Sequence, residues 1–216
     1  MIVANAFLAL TIMRIFLLRH GATEWNLQGR CQGATDLELS EIGRRQAEEM
    51  ATTLSHERIH AVYSSNLKRA IQTAGAISQL HNLTLVIEDS LRELDQGELE
   101  GLTLSEIQAT RPDFIRQWRD RPAELPIPGG ERLIDVDKRV WDGMRGIARR
   151  HRPDETVVVV SHQFPILAVL CRITETPLDR YRSFRLDPCG VIRLSYHADD
   201  EWRVMAENGK LPLRQE

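Results

Sequence analysis

The chain has 216 residues, 42% hydrophobic and 27% charged, and its 28 basic and 31 acidic side chains leave a net charge of -3. That is enough chain for one sizeable core, and with no global basic field nucleic acid is not an expected partner. Three cysteines, Cys31, Cys171 and Cys189, stand at no metal-like spacing. They fit free thiols in a reducing, cytoplasmic location better than a disulfide framework.

From Met1 to Ile12 the sequence is apolar, but it lacks a positive leading region, and Arg14 interrupts the run before it could span a bilayer. Residues 1–12 are therefore expected to be an extension outside the core, with one domain over residues 13–216 and no membrane association. Arg14 to Leu18 reads as the first strand, because Ile15, Phe16, Leu17 and Leu18 form a continuous apolar run that suits burial on both faces. Ser40 is an N-cap candidate for a helix from Glu41 to Leu54, with Ile42, Ala47, Met50 and Leu54 on its inner face. Ala61 to Tyr63 is a short strand ending in Ser64-Ser65. A helix from Leu67 to Leu80 follows, turning Ala70, Ile71, Ala74, Ile77 and Leu80 inward, and then a strand from Leu83 to Ile87.

Glu88 to Gly130 is less periodic, carries Pro112, Pro122, Pro126 and Pro128, and closes on Gly129-Gly130. It reads as loops around one or two short helices between Leu104 and Trp118, with residues 97–130 as a lid insertion beside a site. A long amphipathic helix from Glu131 to His151 is expected to bury Val136, Val140, Met144 and Ile147. Thr156 to Val160 reads as the central strand and ends in Ser161-His162. Gln163 to Ile173 is helical, with Pro165 tolerated in its first turn. Val191 to His197 and Trp202 to Ala206 complete one edge of the sheet. Strands alternating with helices place the chain in the α/β class, as a three-layer α/β/α sandwich with a mainly parallel central sheet.

Three of these strands end in polar groups: Arg19-His20-Gly21, Ser64-Ser65 leading to Arg69, and Ser161-His162. The carboxyl edge of an α/β sheet is where ligands bind. The acidic cluster from Arg92-Glu93 to Glu100-Gly101 follows the third strand. Two histidines, two arginines and a carboxylate suit phosphoryl transfer to a histidine. The arginines would pair with the oxygens of the transferring group and keep the nucleophilic imidazole neutral. The second histidine would donate a hydrogen bond to that group. A carboxylic acid would protonate the leaving oxygen and then take a proton from water.

The stretch Arg19-His20-Gly21-x-Thr23-x-Trp25-Asn26 resembles the signature of the histidine phosphatase superfamily, which includes the cofactor-dependent phosphoglycerate mutases. The likeness continues through Arg30-x-Gln32-Gly33, Ser64-Ser65-x-Leu67-x-Arg69-Ala70, Leu91-Arg92-Glu93-Leu94, Pro128-Gly129-Gly130-Glu131 and Val160-Ser161-His162, and so runs from Met13 to Ala206. It implies that His20 is the phosphorylated nucleophile, that Arg19, Arg69 and His162 grip the phosphoryl group, and that Glu93 is the acid and then the base. Asn26 and Thr23 fall in the signature, Asn26 at a phosphoryl-contacting position. Gln32 and Gly33 match positions that line the substrate pocket. Gln163 stands where the superfamily usually has glycine; its backbone amide would face the phosphate and its side chain would narrow the pocket.

Each residue taken singly has a plainer reading. His162 could cap the last helix, and Arg69 could be a solvated charge. Asp95, Glu98 and Glu100 could lie on the surface, and Thr23 and Asn26 could cap a turn. Trp25 suits packing, Cys31 a passive thiol, and Arg111, Arg116, Arg119 and Arg121 a solvated helix face. Taken together, the motifs favour a metal-independent, cofactor-free phosphomonoesterase acting on a small phosphorylated metabolite. The resemblance leaves α-ribazole phosphate, phosphoserine, phosphoglycerate and sugar phosphates as candidate substrates. The rival is a 2,3-bisphosphoglycerate-dependent phosphoglycerate mutase. Such mutases carry a longer insertion after the acid, whereas the step from Glu93 to Glu100-Gly101 is the short form. A metallohydrolase using His20, His162 and Glu93 as ligands is opposed by the adjacent arginines. A non-catalytic binding protein would be expected to have lost one of these positions. A homodimer is left open.

Overall fold

In the computed structural model, which describes residues 12–197 and 199–205, six strands make one sheet. They are β1 (Met13–Arg19), β2 (Ala61–Ser64), β3 (Leu85–Ile87), β4 (Thr156–Ser161), β5 (Val191–His197) and β6 (Glu201–Val204). Their order is β3-β2-β4-β1-β5-β6. β1 to β4 are mutually parallel, while β5 pairs antiparallel with β1 and with β6. The mainly parallel sheet is as expected, with the antiparallel pair at one edge. Ala206 and residues 1–11 lie outside the described residues.

Between the strands run α1 (Glu24–Leu27), α2 (Glu41–Thr53), α3 (Lys68–Leu80), α4 (Leu104–Thr110), α5 (Pro112–Asp120), α6 (Leu133–Arg149) and α7 (Gln163–Ile173). The apolar runs of β1 and β4 split by strand alternation. Met13, Ile15, Leu17, Val157 and Val159 join the core under α6 and α7, with Val136, Val140, Met144 and Ile147. Phe16, Leu18, Val158 and Val160 face the other way, onto Ala51 of α2 and Ala70, Ala74 and Ile77 of α3. Each such fully buried branched side chain is worth about 1.5–3 kcal/mol, so β1 and β4 anchor both layers.

Several details differ from the sequence reading. Ile42 and Leu80 are 44% and 50% exposed, not inward. Ala47 of α2 and Leu54 at its end are buried as expected, and Gly43 and Ala51 share their face. The packing is too close for larger residues at its first turn, since a Cβ on Gly43 would lie 2.0 Å from the Ala22 carbonyl oxygen. The third strand starts at Leu85 because the Leu83 amide is committed to closing α3, donating to the Ser78 carbonyl at 2.9 Å. In the insertion there are two helices. Arg111, at φ -137 and ψ 55, breaks the first, and Pro112 opens the second at a position where its missing N–H costs nothing.

Candidate active site

Strand register gathers the site. β1 pairs Arg19 with Ser161 of β4, and β4 pairs Val160 with Ser64 of β2. One residue past each strand end stand His20, His162 and Ser65. The His20 amide donates to the Ser161 carbonyl and the Ser65 amide to the Val160 carbonyl, both at 3.0 Å. The two imidazole rings lie 5.0 Å apart, tilted by 57°.

His20 is 2% exposed, and its Nδ1 lies 2.7 Å from the Gly21 carbonyl oxygen. A carbonyl can only accept, so Nδ1 carries the proton and Nε2 keeps its lone pair. Burial, then Arg69, then Arg19, hold the His20 pKa well below the usual 6.5. The ring is therefore neutral and nucleophilic at physiological pH. Gly21 is required here, because a Cβ would sit 2.5 Å from the Gly43 carbonyl oxygen.

Arg69 is fully buried. Its Nη1 and Nη2 donate to the Thr35 and Gly33 carbonyls, each at 2.8 Å, and its Nε donates to His162 Nδ1 at 3.2 Å. That last bond fixes the His162 tautomer, since a guanidinium only donates. The His162 proton is on Nε2, which donates to Ser65 Oγ at 2.8 Å. His162 occupies the N-cap position of α7 without a side-chain cap bond, so the plain capping role does not describe it. Burial is also the main cause that lowers its pKa well below 6.5, with Arg69 next. Arg19 donates Nη1 to the Leu186 carbonyl at 2.7 Å, while its buried Nε has no partner among the described residues.

Glu93 sits at the amino terminus of α7. Its Oε1 accepts from the Leu94 amide at 2.8 Å and the Phe164 amide at 3.2 Å, and its Oε2 accepts from the Gln163 amide at 3.1 Å. Burial nevertheless raises its pKa above 4.5, outweighing those amides and the two arginines. The expectation that the Gln163 amide faces a phosphate is corrected by this arrangement, because that N–H is given to Glu93. The Gln163 side chain does line the pocket.

A cavity of about 220 Å3 opens over these groups, with Arg19, His20, Arg69, Glu93, Asn26 and Gln32 in its wall. Asn26 Oδ1 accepts from the Thr23 amide and hydroxyl at 3.1 and 3.2 Å, which leaves the Nδ2 donors as its end free for a ligand. Gln32 Oε1 is buried without a partner among the described residues. Thr23 and Gly33 do not line this cavity. Thr23 caps α1, and Gly33, at φ +54, lends its carbonyl to Arg69. Of the lid segment, Leu104 alone reaches the cavity wall. Arg111 and Arg116 are engaged by Glu98 and Asp113 on an exposed helix face, and Cys31 has its thiol pKa raised by burial. A larger groove of about 950 Å3 between α2 and α3 contains no histidine or cysteine.

Three supporting residues were given no role by the sequence reading. Ser65 holds His162. Glu100, set aside as a surface carboxylate, accepts from the Ala34 and Thr35 amides at 2.7 and 2.9 Å and from the Gln96 amide at 3.2 Å. It thereby braces the loop whose carbonyls cradle Arg69. Arg139 donates to the carbonyls of Ser90, Arg92 and Glu93 at 2.9, 2.6 and 2.8 Å and pairs with Glu131 at 2.9 Å, clasping the backbone that carries the acid. The Pro-Gly-Gly-Glu motif pointed toward Glu131, but a lone mid-helix arginine gives no such signal.

An open imidazole nitrogen beside two arginines, with a carboxyl whose pKa burial raises, is equipped for displacement at phosphorus. A profile of the histidine phosphatase superfamily, branch 1, matches residues 15–209; the chain belongs to that superfamily, as a phosphoric monoester hydrolase. It is 38% identical over 176 residues to phosphoserine phosphatase 1 of Hydrogenobacter thermophilus, covering 82% of this chain and 83% of that one. It is likewise 38% identical over 167 residues to the metal-independent phosphoserine phosphatase of Arabidopsis thaliana, covering 76% and 70%. Among solved structures, a mycobacterial glucosyl-3-phosphoglycerate phosphatase in complex with VO3 superposes with a TM-score of 0.81 at 31% identity, covering 91% of this chain and 99% of that one. No helix among the described residues is long and apolar enough to cross a membrane.

Proposed function

We propose that this enzyme hydrolyses a small phosphorylated metabolite through a phosphohistidine on His20, without a metal ion, in the cytoplasm. The observation that carries the reading is the lock of His20 Nδ1–H on the Gly21 carbonyl, which presents Nε2 unprotonated between Arg19 and Arg69. Nε2 attacks phosphorus, the N–P bond forms and the ester P–O bond breaks, and Glu93 gives its proton to the departing oxygen. Water then attacks phosphorus, Glu93 takes the water proton, and the N–P bond breaks to release phosphate. Arg19, through its unpartnered Nε, and Arg69 bind the equatorial oxygens. His162 turns its Nε2–H from Ser65 to the phosphoryl group. Asn26 and Gln32 bind the substrate directly, while Thr23 and Gly33 act by holding Asn26 and Arg69. Gln163 shapes the pocket with its side chain.

The names of the relatives put phosphoserine and glucosyl-3-phosphoglycerate first among the esters to try. The test is a phosphate-release screen over a metabolite panel, with and without a chelator, 2,3-bisphosphoglycerate and 3-phosphoglycerate. Chelator-resistant release without isomerisation is expected. Isomerisation of 3-phosphoglycerate would establish the mutase instead, and loss of activity to the chelator would establish a metal-dependent enzyme.

A further inference from the structure

A second cavity of about 260 Å3 lies against the first, and the two share Arg19 and Gln163 as a common wall. The phosphoryl chemistry does not use it. Its floor is apolar, from Leu167, Phe184 and Leu186, and its rim carries Arg182, Arg185 and Asp187. With Arg19 that makes three arginines and one aspartate in its lining.

Arg182 is held in place rather than free: its guanidinium carbon lies 4.7 Å from the Tyr181 ring centre, and Nη2 reaches the Trp118 carbonyl of α5 at 3.5 Å. Arg185 meets Asp187 at 3.2 Å, but both side chains are 71% exposed. An exposed pair of that kind contributes little and yields to a better-placed anion. Gln163 replaces the glycine usual in the superfamily, and its side chain stands between the two cavities.

From this geometry we infer that the second cavity is a subsite for an anionic group, a carboxylate or a second phosphate, on the non-reacting part of the substrate, held by Arg182 and Arg185 beyond Gln163. The inference rests on the phosphatase reading above and names the substrate class of the same site: phosphomonoesters bearing a further anion. Two arginines with a polar amide at the threshold and apolar carbon beneath suit a short, charged organic acid or bisphosphate better than a neutral alcohol.

The test compares kcat/KM within matched pairs: 3-phosphoglycerate against glycerol 3-phosphate, O-phosphoserine against O-phosphoethanolamine, and fructose 1,6-bisphosphate against fructose 6-phosphate. The wild type should favour the extra anion at least tenfold in one or more pairs, through KM. Arg182→Met and Arg185→Met should each shrink that ratio several-fold and together erase it. Arg185 is exposed enough that its replacement cannot unfold the chain. Arg119→Met, which removes a charge from α5 outside both cavities, should keep the wild-type ratio. The first two pairs report a carboxylate and the third a phosphate. No preference in any pair, or one that survives the double variant, overturns the subsite while leaving the phosphatase standing. Failure of the wild type to release phosphate from any ester, p-nitrophenyl phosphate included, overturns both.

Discussion

At the scale of single residues, the proposed chemistry depends on where protons sit. The Gly21 carbonyl fixes one on His20 Nδ1, the Arg69 Nε–H fixes another on His162 Nε2, and burial favours one on Glu93. The opposite shifts of the proposed nucleophile and acid each favour the form that residue needs, and they set the pH profile. Turnover should rise as pH climbs through the His20 pKa, well below 6.5, and fall as pH climbs through that of Glu93, above 4.5. The alkaline limb should vanish with p-nitrophenyl phosphate, whose leaving group hardly needs a proton. Glu93→Gln should accordingly slow alkyl phosphates by about 10²–10⁴-fold and p-nitrophenyl phosphate far less. Steady-state kinetics on both ester types checks this, and equal losses would point to another acid.

At the scale of elements, the site is as exact as the contacts between strand ends and the helices beside them. α2 comes so close to the His20 loop that Gly21 and Gly43 meet without side chains. Gly43→Ala should therefore cost about 1–3 kcal/mol in urea unfolding and lower kcat on every ester, because α2 must retreat from the Ala22 carbonyl and carry the loop with it. The main elements were legible because apolar period and caps mark them: β1 and β4 as unbroken runs, α6 by its buried stripe, α2 by Ser40, which accepts from the Gly43 amide. What misled was the first turn of α2, where closeness to another loop selects glycine at position 43 and leaves Ile42 exposed, although Ala47 and Leu54 do face inward. His20, Arg69, Glu93 and His162 were legible because the motifs tie each to a strand end or to the turn beyond one. Glu100 and Arg139 were not, because their partners are backbone groups contributed by distant segments. The Gln163 amide was assigned to phosphate for the same reason: the sequence does not reveal that Glu93 lies across the start of α7.

At the scale of the whole molecule, the sheet separates two apolar cores, and Arg19, His20 and His162 are buried where β1 and β4 end, with Arg69 and Glu93 beside them. Those groups couple stability to pH. His20 and His162 stay neutral when folded but take up protons below 6.5 when unfolded. The unfolded state then binds more protons, so stability falls as pH drops below 6.5, by up to about 1.4 kcal/mol per pH unit for each histidine. Glu93 acts in the other direction. Its folded carboxyl holds a proton to higher pH than the unfolded one, so stability falls as pH rises from 4.5 to the folded value. Urea midpoints between pH 7 and pH 5 should decline in the wild type and decline less in His20→Asn. An identical slope in the two proteins would contradict a neutral buried His20.

The most direct measurement traps the covalent intermediate. Enzyme mixed with a labelled phosphomonoester and quenched in alkali within one turnover should carry one phosphoryl group on His20, stable to base, labile to acid, and absent from His20→Ala. Label on another residue, or a fully active His20→Ala enzyme, would contradict the account.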